Sequence, residues 1–98
     1  MTPSFMNNQP EIAIPPDYID GAKVLQWAWS GQYPFGVVST YEVYGLAICQ
    51  YENSLIFYRF SCNKNWETLQ DSPYDSLKEA IEQLPEQYRR VVANWQVK

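Results

Sequence analysis

The sequence predicts an α+β domain: an antiparallel meander of four or five strands with one C-terminal helix packed on one face. Three observations carry this. Between Ala22 and Gln70, short runs rich in Val, Ile, Tyr, Phe and Trp alternate with turn residues. The apolar period then changes, with Leu77, Ala80, Ile81, Leu84 and Tyr88 spaced to share one face of a helix. Finally, 98 residues, 46% of them hydrophobic, are enough for one domain with its own core.

Residues 1–17 read as an extended arm, because Pro3, Pro10, Pro15 and Pro16 deny it regular structure. The domain is expected over 18–98. Pro16–Asp20 is compatible with one helical turn, after which Gly21 resets the chain. Ala22–Trp29 is the first strand, with Leu25, Trp27 and Trp29 on one face by the two-residue period. Ser30–Gly36 is turn chemistry. Val37 and Val38 begin a second strand that breaks or bulges at Ser39-Thr40 and continues from Glu42 to Tyr51. Glu52-Asn53-Ser54 connects a hairpin, and Asn53 tolerates left-handed geometry. Leu55–Cys62 is the next strand, Asn63–Asn65 a turn, and Trp66–Gln70 a short strand. Ser76 and Glu79 fit a capping box, with Ser72-Pro73 as a competing earlier start. Pro85 ends the helix, and Val91–Val97 forms a last strand or tail.

The hairpin around Asn53 admits two registers. A three-residue loop pairs Ile48 with Tyr58 and Leu46 with Phe60, placing these four and Cys62 on one side. The hydrophobic pattern favours this register. A two-residue loop instead pairs Cys49 with Tyr58 and Gly45 with Cys62, and the cysteines then share a face. Neither register brings them within the reach of a disulfide, about 7 Å between α-carbons. The chain contains no His, so neither cysteine has the usual base for nucleophilic catalysis. Two cysteines without His also do not close a zinc site. Both are expected as small buried apolar residues.

Composition narrows function further. The net charge is -4, from 11 acids against 7 scattered bases, which disfavours nucleic acid and suits a basic protein partner. No apolar run spans a bilayer, no secretory signal opens the chain, and a reduced cytoplasmic setting is expected. Dispersed glycines match no phosphate loop. Asp17 and Asp20 read as cap and turn residues, and Arg89-Arg90 with Lys98 as the one basic cluster. No catalytic, cofactor or metal site is predicted.

What remains is an aromatic content of 16%, heavy for a chain with only 18% charged residues. One helix covers one face of a sheet. Leu46, Ile48, Tyr58 and Phe60 match its stripe, and the opposite face carries Val43, Ala47, Tyr51, Phe57 and Arg59. Such a face is too apolar for open solvent and marks an interaction surface unless the arm shelters it. The expected function is a non-enzymatic small acidic binding protein, an inhibitor, regulator or immunity-type protein by analogy at the level of fold alone. Its predicted surface comprises Trp27, Trp29, Tyr33, Tyr41, Tyr51, Phe57, Arg59 and Trp66. The alternative is a homodimer with a structural or small-ligand-binding role.

Overall fold

The described residues fold around a six-stranded antiparallel sheet and a separate two-stranded ribbon. The computed structural model describes residues 13–98, so most of the predicted arm lies outside the described residues. The strands are β1 (Tyr18–Ile19), β2 (Ala22–Trp29), β3 (Gly36–Val38), β4 (Tyr41–Val43), β5 (Gly45–Gln50), β6 (Phe57–Cys62), β7 (Thr68–Tyr74) and β8 (Gln96–Val97). One helix, α1 (Leu77–Glu82), is followed by a 3-10 turn at Glu86–Tyr88. The main sheet has the order β1-β2-β5-β6-β7, and β8 also pairs with β2. An antiparallel sheet with one short C-terminal helix therefore stands, with more strands than predicted.

Turn chemistry explains most of the departures. Asp20 and Gly21 have φ of 51° and 84°, and they close a two-residue hairpin in which Ile19 faces Ala22. Two successive positive φ angles are what a primed hairpin turn requires, and Asp-Gly supplies them cheaply. A strand thus replaces the predicted helical turn at Pro16–Asp20. At Ser39-Thr40 the chain reverses rather than bulges: Ser39 has φ 56°, and β3 folds back on β4 with Val38 opposite Tyr41. Asn53 adopts φ 66°, as its residue type suggested. Ser76 caps α1, its Oγ accepting from the Glu79 N–H at 3.1 Å. The helix is only six residues long. The competing start at Ser72-Pro73 is instead part of β7, where an edge strand tolerates proline.

The register between β5 and β6 is the one the hydrophobic pattern did not favour. Cys49 faces Tyr58 and Gly45 faces Cys62, although the connection runs from Tyr51 to Ile56. One residue of slip moves every side chain of β6 to the other face. Val24, Cys49 and Tyr58 form one cross-strand row, Trp27, Ala47 and Phe60 the next, and Trp29, Gly45 and Cys62 a third. A bulge at Leu25 places Val24, not Leu25, with Trp27 and Trp29. This face forms one core cluster with Ile19, Ala22 and Trp66.

The opposite face carries Gln26, Ile48, Arg59 and Ser72, then Ala28, Leu46, Ser61 and Gln70. Ala28 and Leu46 join a second core cluster with Phe35, Val43, Leu84 and Tyr88. α1 lies over β5, β6 and β7 on this side. Arg59 is therefore under the helix and 1% exposed, not on an open face. Its Nη1 donates to the carbonyls of Ala80 and Gln83, at 3.1 and 3.3 Å, and its guanidinium lies 4.9 Å from the Tyr74 ring centroid. These are the carbonyls that the end of a helix leaves without a partner, and a cation there also suits the helix dipole.

Cys49 and Cys62 are free and buried on the same face. Burial pushes both thiols up to about 12, with the Asp20 carboxylate adding to the effect on Cys49. Both are neutral thiols at physiological pH, and the neutral form is the poor nucleophile. At the chain ends, Lys98 Nζ meets Asp17 Oδ1 at 2.8 Å, which holds the Asp17 carboxyl below its usual range. The pair is exposed, and such pairs add little to stability. Among the described residues no helix is long and apolar enough to cross a membrane.

Candidate functional site

Four of the aromatic residues that the sequence singled out converge, together with Tyr44, near one end of the central strands. Trp27 and Trp66 meet edge to face with ring centroids 6.3 Å apart. Trp66 lies 5.8 Å from Trp29, and Trp29 lies 6.0 Å from Tyr44. Tyr41, on β4, opens beside Tyr44 in a cleft of about 290 Å³ lined by Tyr41, Glu42, Tyr44, Asn63, Lys64 and Asn65.

The local sequence fixes this stack. Trp66 sits at φ 61°, a left-handed conformation rare for so large a residue. Asn63 stabilises the turn that holds it. The Asn63 Oδ1 accepts from the N–H groups of Asn65 and Glu67, at 2.9 and 3.0 Å, and its Nδ2 donates to Glu67 Oε1 at 2.7 Å. The Trp66 N–H donates to the Asn63 carbonyl at 3.1 Å. The turn lays the indole over Gly45, where an added Cβ would come within 2.6 Å of the ring. Glycine on β5 is thus what lets the Trp66 ring approach the strand this closely. Strain held in this way recurs at functional sites.

Tyr44 is 7% exposed. Its hydroxyl is 3.5 Å from Glu42 Oε1, and burial with the Glu42 charge raises the phenol above its ordinary range. Lys64 Nζ stands 4.6 Å from the Tyr44 ring centroid, in cation–π geometry. The result is a wall of stacked rings, anchored in the core, with Tyr41, Glu42, Lys64 and Asn65 exposed at its rim.

The rest of the predicted surface is dispersed. Trp27 and Trp66 are buried as the inner members of the stack, and Trp29 is half-buried. Arg59 is buried beneath α1, and Phe57 shares its face, half-buried opposite Tyr74. Tyr51 packs on Tyr58 with centroids 5.6 Å apart, and its hydroxyl donates to the Asp20 carbonyl at 3.2 Å. Tyr33 is 66% exposed, in the loop between β2 and β3. Tyr44, Glu42 and Lys64 were not singled out as surface residues. By the two-residue period Tyr44 shares a face with Leu46 and Ile48, the face matched to the helix, and a lone lysine in a turn carries no signal of its own.

Comparison with known proteins finds no match: no family model fits the chain, and neither a curated protein nor a solved structure is significantly similar to it.

Proposed function

We propose that this protein is a small, non-enzymatic protein-binding domain that engages its partner through the aromatic cleft between the β3–β4 ribbon and the Asn63–Trp66 turn. The observation that carries this reading is the Trp27–Trp66–Trp29–Tyr44 stack, which runs from the core to a rim where Tyr41 is 61% exposed. Binding surfaces concentrate their energy in aromatic residues whose positions are set before contact, because little conformational entropy is then lost. Tyr and Trp suit a surface that is wet when free and dry when bound. The acidic net charge of -4 favours a basic partner.

Capture from host lysate tests the proposal. The immobilised protein is expected to retain a discrete partner that Tyr41→Ala loses and Leu55→Ala keeps. Both side chains are exposed, Leu55 at 86%, but Leu55 lies outside the cleft. Equal retention by both variants would count against the proposal.

A further inference from the structure

The cleft already holds a cation, its own Lys64, over the ring of Tyr44. Among the described residues Lys64 pairs with no carboxylate, since the ion pair between Asp17 and Lys98 is the only one they form. The cleft nevertheless contains an acid. Glu42 lines it beside Tyr44, while Asn63 is engaged with Glu67 and the turn backbone. Two tyrosines and a carboxylate that pairs with no cation among the described residues, around one shallow cavity, are the chemistry that receives an ammonium or guanidinium group. Lys64 is exposed and sits at a turn, so it can swing out without disturbing a strand.

We infer that the cleft is a receptor for a lysine or arginine side chain of the partner, and that Lys64 occupies that position in the free protein. The inference rests on the proposed binding function and names the chemistry of its partner. An incoming cation takes the place of Lys64 over Tyr44 and pairs with Glu42, while Tyr41 closes over its aliphatic stem. The displaced Lys64 returns to solvent, so binding exchanges one cation for another and gains the Glu42 contact that Lys64 does not make.

An end-capped Gly-Arg-Gly peptide, with Gly-citrulline-Gly as its uncharged counterpart, is the probe, followed by NMR of the Tyr41 and Tyr44 ring protons. The arginine peptide is expected to shift these resonances saturably and the citrulline peptide to leave them in place. Lys64→Ser should tighten arginine-peptide binding by about fivefold, and Glu42→Gln should weaken it by about threefold, in keeping with exposed cation–π and ion-pair energies. Amide resonances of β2, β5 and β6 report that both variants remain folded. Equal shifts from the two peptides, or a Lys64→Ser variant that binds no more tightly, would overturn the inference. A partner lost by Tyr41→Ala but held undiminished by Glu42→Gln would leave the proposed function standing and remove the cation from it.

Discussion

Replacing Arg59 with alanine is expected to cost about 3 kcal/mol of stability, roughly a third of what a domain of this size commonly possesses. Arg59 lies at the centre of β6, 1% exposed, with no carboxylate paired to it among the described residues. Burying an unpaired charge is unfavourable. Here the carbonyls of Ala80 and Gln83 at the end of α1 offset that cost, together with the face of Tyr74. Alanine removes both hydrogen bonds of Nη1, the cation over the ring and the stem that fills the space beneath the helix. Arg59→Met keeps most of the stem and should cost about 1 kcal/mol, which is the hydrogen-bond loss less the relieved desolvation. Urea unfolding followed by circular dichroism measures both. Two variants as stable as the wild type would mean that Arg59 does not hold α1 to the sheet.

Gly36→Ala is expected to cost about 3 kcal/mol or more, or to prevent folding. A Cβ at this position would fall 1.7 Å from the Gln87 carbonyl oxygen and 2.8 Å from its carbon. These are backbone atoms, so no rotamer change relieves the overlap. Either β3 or the 3-10 turn must move, and Phe35 and Tyr88, which flank the contact in sequence, are both fully buried. The Arg90 N–H, which donates to the Phe35 carbonyl at 3.1 Å, would be lost with them. Gly31→Ala is the matched control. Its Cβ would meet nothing within 4 Å, and only the φ of +88° opposes it, at a cost of about 1 kcal/mol. Thermal unfolding of the two variants should separate them clearly; equal midpoints would refute the close approach at Gly36.

Much of the local structure was legible in the sequence because it rests on short-range chemistry. The Ser76 cap, the left-handed Asn53, the positions of β2, β5 and β6, and the stop before Pro85 all follow from neighbouring residues. The register of β5 on β6 did not, and the reason is physical. Gly45 to Cys49 are all buried, since both faces of the sheet are covered. Alternation therefore carries no information about which face is inside, and either register satisfies the pattern. Arg59 compounded this, because an arginine in a strand suggests an open face, whereas here it terminates a helix. The bulge at Leu25 and the reversal at Ser39 each changed parity without a residue that demanded it. Asp20-Gly21 did carry a hairpin signal, and the prolines before it obscured it.

The cleft was half legible. Aromatic excess pointed to Trp27, Trp29, Tyr41 and Trp66, and these do come together. What joins them is Trp66 in a left-handed turn laid across Gly45, a contact between residues 21 apart in sequence that no periodicity encodes. The favoured register places Tyr51, Phe57 and Arg59 on one face with Val43 and Ala47, whereas in the structure Ala47 pairs with Phe60 and Arg59 with Ile48, on opposite faces of the sheet.

Site-specific photocrosslinking tests the central claim, that the aromatic cleft is where the partner binds. Benzoylphenylalanine replaces Tyr41 in one preparation and Leu55 in a second, and each is irradiated in host lysate. A discrete adduct from the Tyr41 position, absent from the Leu55 position and competed away by unlabelled wild-type protein, is the predicted result. Adducts that are the same from both positions, or that arise from the Leu55 position alone, would contradict the account and move the binding surface away from the cleft.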